Sequence, residues 1–237
     1  MKEERFFYDE ALSGELPEEE ARHALRVLRL QTGDEIRLMD GKGAFLRAEI
    51  TTATGHRCFY RILSSEPQQP AWSGYIHLAM APTKMNERVE WMAEKATEIG
   101  FDELSFLDCQ FSERHVMKID RIDRILVSSV KQSHKAMKPK LNEMIDFRRF
   151  VEMPREGDKY ICHCYDGFGE KPLLDKVVES GHKCTVLIGP EGDFSVEEVQ
   201  LAIDNGYKCV SLGRSRLRTE TAALAAVHII HLKNEIE

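Results

Sequence analysis

Cys184-Thr185-Val186-Leu187-Ile188-Gly189-Pro190-Glu191-Gly192-Asp193-Phe194-Ser195 is an apolar run of strand length that breaks at a glycine and a proline and leads into a helix start. Residues 184–188 show no polar alternation, the pattern of a strand covered on both faces of a parallel sheet. Ser195 with Glu198 three positions on is a capping box, and Gly206 closes the helix it opens. The unit therefore reads strand, glycine-containing loop, helix.

Outward from this stretch the same unit recurs. Residues 75–81, 104–107, 160–164 and 209–212 are further short apolar runs. Amphipathic helices lie between them. One runs from Asn86 as N-cap to Gly100 as its stop, with Val89, Met92, Ala93, Ala96 and Ile99 on one face. Another starts near Asp120 and carries Ile122, Ile125, Leu126 and Val130. Strands alternating with helices predict an α/β domain with a parallel sheet over residues 74–237.

Residues 1–70 read differently, as β-rich with one helix. Pro17 suits a first helical turn, Glu18 can pair with Arg22, and Ala21, Ala24, Leu25 and Leu28 share a face, so a helix is expected to end near 31–33. Residues 35–39 and 44–51 alternate around Asp40-Gly41-Lys42-Gly43, which predicts a hairpin, and 57–63 supplies another strand. Residues 64–70 hold two prolines and no periodicity, as a linker would.

Composition narrows the function classes. The chain has 237 residues, 42% of them apolar, with 33 Lys and Arg against 40 Asp and Glu, a net charge of −7. That supports a real core and excludes a disordered tail or a disulfide-dependent miniprotein. The apolar stretch 222–230 is interrupted by His228 and is about half the roughly 20 residues of a membrane span. No apolar segment follows Met1-Lys2-Glu3-Glu4-Arg5, so a cytoplasmic address is expected. The six cysteines lie mostly in apolar runs and are expected to be reduced.

An acidic chain does not coat nucleic acid indiscriminately, but its basic residues cluster. Arg22, Arg26 and Arg29 recur at helical spacing, and Lys131, His134, Lys135, Lys138 and Lys140 form a second group. Such patches suit phosphate contacts; the alternative for either run is a solvated helix face, but two separate clusters inside an acidic chain favour RNA, with no DNA or membrane partner expected.

Several chemistries lose support. Gly167-Phe168-Gly169 begins a dinucleotide fingerprint, but Pro172 stands at its third glycine position, and no triphosphate-binding loop occurs. Cys162-His163-Cys164 with His182 and Cys184 lacks the C-x-x-C spacing of a zinc knuckle, so no metal is expected. His163 beside a cysteine has no identifiable third group to orient it for nucleophilic catalysis. What remains is a pair of strand-to-helix loops, residues 188–194 and Ser211-Leu212-Gly213-Arg214-Ser215-Arg216-Leu217-Arg218-Thr219-Glu220-Thr221-Ala222. Ligands of open α/β sheets bind beyond the carboxyl ends of strands, where such loops sit. The alternative is two ordinary turns capped at Ser195 and Thr219.

These two loops, with Glu94-Lys95-Ala96-Thr97-Glu98-Ile99-Gly100 upstream and His23, Val27-Leu28-Arg29, Gly33-Asp34 and Asp40-Gly41 near the start, resemble the bacterial 16S ribosomal RNA uridine-N3 methyltransferases of the SPOUT superfamily. The resemblance covers nearly the whole chain. It implies a PUA-like RNA-binding β-barrel over 1–70 and a SPOUT domain over 74–237 whose backbone forms a trefoil knot. It also implies a homodimer that methylates uridine N3 in 16S rRNA, or in the assembled small subunit, during ribosome biogenesis. The cofactor would be S-adenosylmethionine, held among the loops after residues 160–164, 184–188 and 209–212. Matched residue by residue, Ile188, Gly189, Gly192, Leu212, Gly213, Leu217, Arg218 and Thr219 would bind it. Arg218 would stabilise charge on the uracil, Glu191 or Glu220 could accept the proton, and Arg22, Arg26, Arg29, Lys131, Lys135 and Lys138 would contact RNA. The chain departs from the family at Asp193, where a second glycine is frequent, at Arg214-Ser215-Arg216 and at His134-Lys135. The rivals are a SPOUT enzyme for another rRNA or tRNA nucleotide, and a non-catalytic RNA-binding protein of the same fold.

Overall fold

The computed structural model describes residues 6–235, so the expectation drawn from residues 1–5 lies outside the described residues. The chain divides into two compact units, residues 1–70 with 127–138, and residues 71–126 with 139–237.

In the first unit, β1 (Phe6–Tyr8), β2 (Glu35–Met39), β3 (Ala44–Thr54) and β4 (Arg57–Pro67) pair in that order; β1 and β2 run parallel and the rest antiparallel. The hairpin forms as expected, because the Asp40 carboxylate accepts from the backbone of Lys42, Gly43 and Ala44 and closes the turn. Two expectations need correcting. Residues 64–67 are not linker but the end of β4, paired with residues 44–47. The helix is also shorter than its apolar face suggests: α1 (Glu18–Arg22) passes into a widened turn over His23–Val27, where Leu28 N–H donates to the His23 carbonyl. Phe7, Ala21, Ala24, Ile36, Leu38, Ala48 and Ile50 form the core of this unit.

The second unit is α/β. Its central strands are β5 (Tyr75–Met80), β6 (Glu103–Asp108), β9 (Asp158–Cys162), β10 (Lys183–Ile188) and β11 (Lys208–Val210), in the order β11-β9-β10-β5-β6 and all parallel. Two-residue strands β7 (Lys140–Leu141) and β8 (Ile145–Asp146) extend the β6 edge. Strand periodicity divides the core. Ile76, Leu78, Met80, Val186, Ile188 and Tyr160 join α2 (Asn86–Ile99) and α7 (Thr219–Asn234) on one face. Ala79, Leu187 and Ile161 join α4 (Phe147–Glu152) and α6 (Val196–Asp204) on the other. The helix expected near Asp120 is α3 (Ile119–Gln132), whose residues 127–132 belong to the first unit; the short α5 (Leu174–Val177) follows β9.

The helix ends test the cap assignments. Ser195 and Glu198 form the reciprocal box expected of them, and Gly100 closes α2 at φ 121°. Asn86 is instead the first residue of α2, after Met85, and Thr219 the first of α7, after Arg218. Among the described residues no helix is long and apolar enough to cross a membrane.

Candidate functional site

Because the sheet of the second unit is parallel, the loops after β9, β10 and β11 leave it at the same edge. They enclose a cavity of about 510 Å³, lined from the first loop by Cys162, His163 and Cys164 and from the second by Ile188, Gly189, Pro190, Glu191 and Asp193. The third contributes Leu212, Gly213, Leu217, Arg218 and Thr219, and α2 contributes Arg88.

Of the residues expected to bind cofactor, Ile188, Gly189, Leu212, Gly213, Leu217, Arg218 and Thr219 line this cavity. Gly192 does not: a Cβ there would lie 3.4 Å from the Phe111 Cβ, on the outer side of its loop. The glycines also differ in what they make room for. A Cβ on Gly189 would meet the Phe194 backbone N at 3.0 Å and its ring at 3.1 Å, so the glycine there accommodates the chain's own aromatic. Gly213 has φ 129° and nothing within 4 Å of a Cβ, so this position borders open space.

Asp193 explains its departure from glycine. It adopts φ 67°, where glycine is normally favoured, and its two carboxylate oxygens accept from Cys164 N–H and Phe194 N–H, both at 2.8 Å. The side chain thus ties two of the three loops together.

The expected catalytic residues separate. Arg218 is exposed at the cavity, immediately before α7. Glu191 lines it too, with both oxygens facing Lys84 N–H at 3.2 and 3.3 Å. Glu220 is outside the lining: it turns into the protein, 6% exposed, with Oε1 3.7 Å from Arg88 Nε. A carboxylate in the first turn of a helix is favoured electrostatically, and the second oxygen of Glu220, Oε2, is buried without a hydrogen-bond partner.

The cysteines next to the cavity hold their protons. Burial pushes the Cys162 thiol up to about 12, and burial followed by the Asp193 charge raises Cys164. Burial and the Lys171 charge lower His163, against the opposing pull of Asp193. The sequence does not mark His163 or Arg88 as site residues. His163 stands only in a cysteine-histidine run that lacks the spacing of a metal or nucleophile site, and nothing distinguishes Arg88 among the charges of an amphipathic helix. Among the described residues no group of three or more His, Cys, Asp or Glu is arranged to hold a metal.

The residues expected to contact RNA all lie in the first unit. Arg22, Arg26 and Arg29 are exposed, but the widened turn breaks their regular helical alignment, and Arg29 has φ 55°. Arg26 reaches the His56 ring at 2.9 Å. Lys131 pairs with Glu20, and Lys138 lies 3.8 Å from Glu10, so part of the second cluster's charge is met by carboxylates. Lys135 is partly buried.

A methyl donor of nucleoside size fits this cavity: its three loops offer backbone and apolar contacts, and it contains a buried imidazole whose nitrogens lack partners. The comparisons agree with that chemistry. Residues 70–231 match the family model of the RNA methyltransferase domain, and residues 16–63 that of the RNA methyltransferase PUA domain. Ribosomal RNA small subunit methyltransferase E of Bacillus subtilis is 25% identical over 243 residues, covering 96% of this chain and 93% of the relative. A probable rRNA-methyltransferase from Porphyromonas gingivalis, solved by crystallography, is 41% identical with a TM-score of 0.91, covering 97% of this chain and 98% of that one. Ribosomal RNA small subunit methyltransferase E from Neisseria gonorrhoeae, crystallised with S-adenosyl methionine, is 28% identical with a TM-score of 0.82 over the same shares.

Proposed function

The chain belongs to the RNA methyltransferase family, and we propose that it transfers the methyl group of S-adenosylmethionine to N3 of one uridine in the 16S rRNA of the small ribosomal subunit. The observation that carries this reading is the convergence of three sheet-edge loops on one cavity that has Arg218 at its opening.

When bound, the cofactor supplies an electrophilic methyl group on a sulfonium. The chain does the rest. Ile188, Leu212 and Leu217 provide apolar walls, while the Gly189 and Gly213 backbones and Thr219 offer polar groups. Uridine N3 carries an imide proton, so its lone pair becomes a good nucleophile only as that proton leaves. Arg218, always charged and with several donors, stabilises the negative charge that develops on a uracil carbonyl oxygen. Arg22, Arg26 and Arg29 position the RNA through its phosphates, joined by Lys131, Lys135 and Lys138.

The same reading includes a knotted chain path, a cytoplasmic location and a homodimer. Ala222, Ala223, Ala225 and Ala226 in α7 are small side chains that would let a helix of a second copy approach closely, but they are only partly available. Ala223 and Ala226 are fully buried in the chain's own core, whereas Ala222 and Ala225 remain partly exposed. Sedimentation at micromolar concentration should show a dimer, and a monomer alone would refute it.

Mass analysis of 16S rRNA from cells with and without the gene tests the activity. One N3-methyluridine should be lost with the gene and restored by the purified protein, on naked RNA or on assembled subunits. A missing methyl group on another nucleotide, or none missing, would overturn the reading.

A further inference from the structure

We propose that His163 is the base that accepts the N3 proton of the target uridine, a role that rests on the uridine-N3 reading above. His163 follows β9 directly, lines the cavity and is 8% exposed, yet neither of its ring nitrogens has a hydrogen-bond partner. Its ring is held by packing instead, edge-on to Phe168 at 5.3 Å and tilted against Tyr165 at 6.2 Å. Leaving a buried polar group unpaired costs about 1–3 kcal/mol, so the two nitrogens mark a place where a substrate completes the bonding.

The carboxylates of the cavity wall already accept hydrogen bonds from the backbone. Asp193 gives its oxygens to Cys164 N–H and Phe194 N–H, and Glu191 faces Lys84 N–H with both of its own. The thiols of Cys162 and Cys164 keep their protons at neutral pH. Among the titratable side chains of the described wall, His163 is the one with buried nitrogens that no group of the protein partners.

Its surroundings keep that lone pair available. Burial and Lys171 hold the imidazole below its ordinary pKa of 6.5 against the opposing charge of Asp193. The neighbouring Tyr165 hydroxyl is turned away and donates to the Phe194 carbonyl, and Arg216 on the third loop is a further positive group of the wall.

The step balances in atoms and charge. The N3–H proton passes to an imidazole nitrogen, the freed electron pair forms the N3–methyl bond, and the donor's sulfur–methyl bond breaks with its pair remaining on sulfur. Positive charge leaves the sulfonium and ends on the imidazolium, so the cavity's net charge is unchanged.

The test uses the full chain, with His163→Phe to keep the ring packing and His163→Gln to keep a polar group. No internal hydrogen bond is lost, so His163→Phe should melt at or above the wild-type temperature. Calorimetry should give S-adenosylmethionine affinity within about threefold of wild type for both variants. Single-turnover methylation at neutral pH should fall by about a hundredfold or more, with the gap narrowing at alkaline pH, where the imide ionises unaided. The wild-type His163 imidazole resonance should titrate below pH 6.5 in the free protein. A variant rate near wild type, a loss equal at every pH, or a loss matched by weakened cofactor affinity would overturn the assignment. A wild-type product methylated at another atom would overturn the uridine-N3 reading itself, and is seen before any variant is made.

Discussion

The Asp193 carboxylate accepts the Cys164 backbone N–H at 2.8 Å, and so binds the loop after β10 to the loop after β9. The same side chain accepts Phe194 N–H while its own backbone sits at φ 67°. Two charge-assisted bonds therefore hold a conformation that a residue with a Cβ adopts reluctantly. Asp193→Gly removes the bonds but relieves the backbone, whereas Asp193→Ala removes the bonds and keeps the strain. Thermal melts should rank wild type above Asp193→Gly and Asp193→Ala lowest, with the alanine variant destabilised by about 2 kcal/mol. Cofactor affinity should fall in both variants, because two cavity walls lose their tie. An alanine variant as stable as the glycine one would show that the bonds contribute nothing.

Gly189 gives a different expectation. A side chain there meets Phe194, not the cavity, so Gly189→Ala should reduce stability before it reduces binding. Overpacking of this kind costs about 1–3 kcal/mol. Gly213→Ala borders open space and should lose stability only through its positive φ. Comparing melting temperature with calorimetric affinity separates these effects; a Gly189→Ala protein with normal stability and lost affinity would return the glycine to the binding surface.

The sequence makes the strand-loop-helix order legible because each signal is local: an apolar run at 184–188, a capping box at Ser195 and Glu198, a glycine stop at Gly100. It misplaces features set by tertiary context. Residues 64–67 look like linker, since their polar side chains cannot announce that the backbone is taken by β3. The widening at His23–Val27 is invisible to a search for helical periodicity. In the site, the loop residues are readable from their motifs. His163 is not, because its significance is the absence of any partner, which only neighbours in space can reveal.

At the opposite, amino-terminal edge of the same sheet, His77 is 4% exposed, with Nε2 2.9 Å from Ser105 Oγ and Nδ1 3.7 Å from Glu103. Burial lowers its pKa to about 4, more than the Glu103 charge raises it. An unfolded chain binds this proton below about pH 6.5 while the folded one refuses it until about 4. The stability from neutral His77 is therefore complete above pH 6.5 and lost as pH falls through 4. Glu103 acts lower. Burial would raise its carboxyl, but Asn142, His77, Lys140 and Tyr75 together bring it to about 2, so its contribution is present above its ordinary 4.5 and lost as pH falls through 2. Denaturant unfolding should show stability declining by about 3 kcal/mol between pH 6.5 and 4 from His77, a slope that His77→Asn removes. An unchanged slope in that variant would exclude His77 as its source.

Arg218 bears on the chemistry itself. It is the residue just before α7, exposed at the cavity, and among the described residues no carboxylate pairs with its guanidinium, whereas Glu220 faces Arg88. The negative charge that forms on uracil as the imide proton leaves is shared with the flanking carbonyl oxygens, and a guanidinium opposite one of them stabilises the transition state more than the ground state. Arg218→Ala should lower the single-turnover rate by about a hundredfold or more while cofactor affinity stays within about threefold. The loss should shrink as pH rises, because an imide that ionises unaided needs less help. Arg218→Lys keeps the charge but not the planar fork, and should recover only part of the rate. Combined with His163→Phe, the two losses should be less than additive, since both residues serve the same proton removal. A rate near wild type in Arg218→Ala, or a loss explained wholly by cofactor affinity, would reject Arg218 as the group that stabilises the uridine anion.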